Sequence, residues 1–200
     1  MEIKLIEIMD EVTMRKKVIL ITDGDIYATR AIIHVAKVIG GTCIIPSSGN
    51  PSIHTGEELI QYILEAKKEP VLVMFDDSGI EGIGRGEQAL LTVAKHPQIE
   101  VLGVLAVAAH TKHSEWTKID VSIDREGNLT PFGVDKDGLQ ELELGRINGD
   151  TVYCLDSIDV PIVVGIGDIG KMYGNDCVER GAPITQKAIE LILERSGFND

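Results

Sequence analysis

The sequence predicts an α/β fold: three layers, with a mostly parallel sheet covered by helices on both faces and a β-hairpin inserted in the second half. Three observations predict it. From residue 18 to residue 106, short aliphatic runs alternate with amphipathic stretches in the β-α-β-α-β-α-β order that builds parallel sheets. Hydrophobic residues make up 44% of the chain but aromatics 4%, so the packing must come from Ile, Val, Leu and Ala, as in strands covered on both faces. Two of the runs are followed directly by acidic turns, where the carboxyl ends of parallel strands present ligand crevices.

Each element has its own signal. In residues 1–16, Ile3, Leu5, Ile6, Met9, Val12 and Met14 recur at roughly helical spacing, which predicts a helical N-terminal extension, the alternative being a partly frayed one, ahead of a single α/β domain over 17–200. The run Val18-Ile19-Leu20-Ile21 predicts a strand over 18–22. The helix over 26–39 is closed by Gly40-Gly41. A strand over 42–46 follows. The helix over 56–67 opens at Thr55, a side chain able to cap it, with Glu57 and Glu58 at its positive end. Then come a strand over 70–75, a helix over 84–95 and a strand over 99–106. Ile119-Asp120-Val121-Ser122-Ile123-Asp124 alternates apolar and polar residues and runs into the turn Glu126-Gly127-Asn128, which predicts the hairpin. Residues 132–150, rich in Gly, Asp and Glu, are expected to be ordered loops. A strand over 160–164 and a helix over 184–196 complete the chain.

The 32 acidic and 19 basic side chains give a net charge of −13, which opposes binding to a phosphate backbone, so no nucleic-acid partner is expected. Cys43, Cys154 and Cys177 are far apart and lack paired metal-ligand spacing, as suits buried thiols or a reducing compartment. No apolar run approaches the roughly 20 residues that span a bilayer, and Met1-Glu2-Ile3-Lys4-Leu5-Ile6-Glu7 is unlike a secretory signal. A soluble protein is expected, reaching any membrane peripherally or through a partner.

Several constellations could carry chemistry. Asp23 and Asp25, after the first strand, and Asp76 and Asp77, after the third, supply hard oxygen ligands of the kind Mg²⁺ or Ca²⁺ accepts, with Glu81 close behind. The alternative is that these aspartates cap helices or close turns. In the loop 79–87, Gly82 and Gly84 would let backbone N–H groups approach an anion, and Arg85 would add a positive charge. The alternative there is a loop with an exposed arginine. Gly165-Ile166-Gly167-Asp168-Ile169-Gly170-Lys171 formally matches a dinucleotide fingerprint, but no helix signal follows, and Met172 stands where a phosphate-binding loop needs Ser or Thr. His110 and His113, with Glu115 and Trp116, could line the same crevice or lie on the surface.

Beyond these motifs, residues 17–197 resemble the soluble stage V sporulation protein AE family. The resemblance is carried by residues 18–25 (VILITDGD), 71–77 (VLVMFDD), 100–104 (EVLGV), 145–154 (GRINGDTVYC) and 164–171 (VGIGDIGK). It implies a non-enzymatic accessory role in sporulation and germination, peripheral to the spore inner membrane. The partners implied are the membrane proteins that move dipicolinic acid and its calcium chelate. On that reading Arg30, Arg85 or Lys171 would neutralise the carboxylates of a dipicolinate ligand, Asp23, Asp25, Asp76 and Asp77 would hold a cation, and a homo-oligomer remains open. The segment 1–16 and the hairpin around 119–130 are the candidate docking elements. A more distant resemblance is to Rossmann-like, and in particular Toprim-type, metal-binding folds, with Asp23 as the first acid and Asp76 and Asp77 near the second. Here the aspartates are adjacent where that group has Asp-x-Asp. That resemblance implies the alternative function, a Mg²⁺-dependent phosphoryl-processing enzyme.

Overall fold

The computed structural model describes residues 14–79, 83–109 and 116–198. The predicted helix over 1–16 therefore falls almost wholly outside the described residues, as do Glu81, Gly82, His110, His113 and Glu115. The elements in chain order are β1 (Lys16–Ile21), α1 (Ile26–Ile39), β2 (Thr42–Cys43), α2 (Gly56–Glu65), β3 (Val71–Met74), α3 (Arg85–Ala94) and β4 (Ile99–Val107). The second half adds β5 (Thr117–Lys118), β6 (Val121–Ile123), β7 (Leu129–Thr130), β8 (Phe132–Val134), β9 (Gln140–Leu144), β10 (Arg146–Ile147), β11 (Val163–Ile166) and α4 (Pro183–Arg195).

Seven strands form one sheet in the order β2-β3-β1-β4-β11-β6-β7, parallel throughout except for β7, which pairs antiparallel with β6. In β1, at the centre, Ile19 and Ile21 point into a core shared with α1 and α4, while Val18 and Leu20 point into a core shared with α2 and α3. The period of two along the strand thus separates the layers, and a strand buried on both faces reads as a continuous aliphatic run. The expected hairpin forms, with the Asp124 carboxylate accepting the Glu126 and Asn128 amides in its turn. Its first strand, β6, also joins the central sheet beside β11.

Two expectations are corrected. The strand expected over 42–46 pairs only at Thr42 and Cys43 and then turns into a short 3₁₀ segment, Ile45–Ser47, because Pro46 cannot donate to a ladder. Residues 132–150 are not loops. They hold β8, β9 and β10, in two small antiparallel sheets that pair β8 with β9 and β10 with β5.

Candidate functional site

The connection after β1 leads to α1 on one face of the sheet, whereas the connection after the neighbouring β3 leads to α3 on the other. Between the carboxyl ends of two such strands the backbone parts and leaves a crevice, the topological switch point of an open sheet. The two acidic turns meet there. Gly24 makes this possible: a Cβ on it would lie 2.6 Å from the Gly49 carbonyl oxygen and 3.2 Å from Asp76 Cβ. The loop after β2 is stitched across the opening. Gly49 N donates to Gly24 O at 2.9 Å, Ser52 N to Asp76 O at 2.7 Å, and Asp76 N to Ser52 Oγ at 2.9 Å.

Each aspartate has a distinct local partner. Asp25 is the N-cap of α1, its Oδ1 accepting Tyr27 N at 2.8 Å and Ala28 N at 2.9 Å. Its other oxygen, Oδ2, lies 2.6 Å from Lys171 Nζ, which also reaches Asp168 Oδ2 at 3.4 Å and sits 5.5 Å above the Tyr27 ring. Asp23 accepts Asp25 N at 3.2 Å, and Asp76 accepts Ser78 N at 2.8 Å. Asp77 turns away from the others. Its two oxygens accept Gly86 N at 2.7 Å and Glu87 N at 2.8 Å, holding the first turn of α3.

Burial sets the electrostatics. Asp23 is pushed up to about 8, first by burial and then by the Asp25 and Asp76 charges, with the Asp25 amide opposing. Asp76 is pushed up to about 7, by burial and by the charges of Asp150 and Asp25, against the amides of Ser78 and Gly24. Asp77 and Asp168 also rise, again chiefly through burial. For Lys171 burial works downward, but Asp25 and Asp168 outweigh it and the ammonium is held above its ordinary value. The crevice therefore carries its own neutralising charges at neutral pH, a proton on Asp23 and the Lys171 ammonium. Among the described residues, no group of three or more His, Cys, Asp or Glu side chains is placed to hold a metal ion.

Of the predicted site residues, Asp23, Asp25, Asp76 and Lys171 converge at the switch point. Arg30 is exposed on α1, and no described carboxylate pairs with it. Gly84 sits at the N-cap position of α3 with its amide donating to Glu87 Oε2 at 3.1 Å, and Arg85, exposed, lines a separate cavity of about 360 Å³ with His54 and Thr55 between α2 and α3. The glycines of 165–170 serve close packing. A Cβ on Gly165 would lie 2.7 Å from Ser122 Oγ, and one on Gly170 2.8 Å from Tyr27 O. No α-helix follows them until α4, only the short 3₁₀ segments Met172–Gly174 and Val178–Arg180.

Sequence reasoning missed Asp168, Asp150 and Asp176. Asp150 accepts Gly79 N at 2.7 Å. Asp176 is fully buried and accepts the amides of Gly170, Ile184 and Thr185 and the Thr185 hydroxyl, at 2.6–2.9 Å. The available signal for Asp176 was Pro183 at the start of an amphipathic helix with no capping residue at Ala182, which asks for a cap from elsewhere in the chain.

The fold and site together define a doubly wound α/β protein whose switch point is acidic, largely closed and internally neutralised. Its chain belongs to the SpoVAE family, stage V sporulation protein AE1, whose family model matches residues 17–196. Membership gives it a role in sporulation. Searches of curated proteins and of solved structures return no match. No helix among the described residues is long and apolar enough to cross a membrane.

Proposed function

We propose that the protein is a non-enzymatic accessory of the machinery that moves dipicolinic acid and its calcium chelate across the spore inner membrane, and that it acts by docking to the membrane subunits. The observation that carries this reading is the family match over residues 17–196. The geometry of the crevice favours docking over ligand capture. Asp25 and Asp77 secure helix starts, Asp76 closes a turn, and Lys171 is already paired with Asp25 and Asp168, so among the described residues no unpaired cation stands in the crevice to receive a dicarboxylate.

The test is made in sporulating cells and with the purified chain. Deletion of the gene is expected to lower the dipicolinate content of spores, and the tagged chain is expected to co-purify with the membrane subunits of that machinery. Calorimetry with Ca²⁺, dipicolinate and both together is expected to show no binding at about millimolar concentration. Spores with full dipicolinate content and no co-purifying subunit would overturn the proposal, and saturable heat would restore the crevice as a ligand site.

A further inference from the structure

β9 is an edge strand, paired with β8 and with no described strand on its other side. Leu142 is 91% exposed and Leu144 67%, and the two stand two residues apart on the same face of the strand. Thr130 Oγ1 donates to Gln140 Oε1 at 2.7 Å and ties β7 to β9. Two adjacent leucines this exposed on one face of an unpaired edge offer an apolar contact surface.

The charges beside them are mostly acidic, with Lys136 between Asp135 and Asp137 and Arg146 just beyond the strand as the nearby cations in sequence. Glu141 and Glu143 alternate with the leucines along β9, and Asp135 and Asp137 lie in the turn before it. None of these four carboxylates pairs with a described Lys, Arg or His. Burial and the charges of Asp135 and Glu143 push the Glu141 carboxyl upward. Asp135, Asp137 and Glu141 also line a cavity of about 240 Å³ beside Trp116 and Asn148, with Lys136 as the single cation among its described lining residues. A second copy of the chain would set Glu141 and Glu143 against acids of its own kind, in a molecule of net charge −13.

We propose that the β8–β9 hairpin docks an extended segment of a partner protein in which Lys or Arg alternates with apolar residues. The basic side chains enter the acid-lined cavity beside Trp116, and the apolar ones cover Leu142 and Leu144. The period of two on β9 asks for the same period in its partner. Three residues, Glu141-Leu142-Glu143, oppose Gly133 alone, so the strand bulges and side chains carry the recognition more than a continuous backbone ladder does. Cytoplasmic loops of membrane proteins are rich in Lys and Arg, so this surface deepens the docking role proposed above and rests on it for the partner's origin.

The test uses the full chain and a short synthetic peptide alternating Lys and Val, read by calorimetry and by the emission of Trp116, the only tryptophan. Saturable binding is expected, with a shift in that emission and affinity falling as salt rises. Leu142→Ser combined with Leu144→Ser should weaken it about tenfold, and Glu141→Gln about threefold, both with unchanged circular dichroism. No saturation at about millimolar peptide, equal binding of a Glu/Val peptide, or variants that bind like wild type would overturn the proposal. A dimer in sedimentation that Leu142→Asp dissolves would assign the surface to a second copy instead. If the peptide binds as expected but spores carrying the double variant keep full dipicolinate content, the surface stands and the transport role fails.

Discussion

Asp23 and Asp76 hold their protons more tightly in the folded protein than in the unfolded chain, with folded values of about 8 and about 7 against an ordinary 3.8. Their contribution to stability is therefore complete below about pH 4 and is lost as pH rises through 7 and 8, by up to about 1.4 kcal/mol per pH unit for each group. Asn at position 23 keeps an acceptor for the Asp25 amide without the charge. Asp23→Asn is expected to come closest to wild type near pH 4 and to exceed it near pH 9, as measured by urea unfolding at both. A wild-type advantage at pH 9 would show that the carboxylate is neutralised by something other than its own proton. Asp176→Ala removes one acceptor from four buried donors and is expected to cost about 3 kcal/mol, read as a lower urea midpoint. At this scale the sequence was only partly legible. Asp23 and Asp25 stand out because they directly follow an aliphatic run. Asp176 lies in an irregular stretch, and its partners at 184 and 185 become visible only once the chain has folded back on itself.

Among the elements, α2 shows how local signals survive folding. Thr55 Oγ1 accepts Glu58 N at 3.3 Å and Glu58 Oε2 accepts Thr55 N at 2.9 Å, a reciprocal capping box that satisfies two otherwise orphaned donors. Thr55→Ala is expected to destabilise the protein by about 1 kcal/mol, seen as a lower thermal midpoint, with Thr55→Ser restoring most of the loss. The α1 bounds of 26–39 were legible for a similar reason, since Gly40 adopts φ 75° and closes the helix where its sequence position suggests. The strands of the second half were not. β8 and β10 are only two or three residues long, and β9 turns its leucines outward, inverting the pattern by which a half-buried strand is recognised. The strand expected over 160–164 sits at Val163–Ile166, shifted because Val160 and Pro161 belong to the approach to the sheet.

At the scale of the whole molecule, strand order was the quantity periodicity could not supply, because the aliphatic run of a central strand looks the same wherever it is placed. The observed order puts β1 between β3 and β4, and this placement converts two separate acidic turns into one closed crevice. It also has a consequence for how the protein comes apart. β1 contributes alternate side chains to both hydrophobic cores and is hydrogen-bonded along both edges, so neither core can loosen on its own while this strand stays in register. The two layers should then melt as one unit. Native-state hydrogen exchange is expected to find the amides of Val18 to Ile21 among the slowest in the chain, opening only with global unfolding, while those of the β8–β9 hairpin exchange through local opening. Exchange of the β1 amides at rates set by a partial opening would instead divide the molecule into two foldons, with the seam between them running along its central strand.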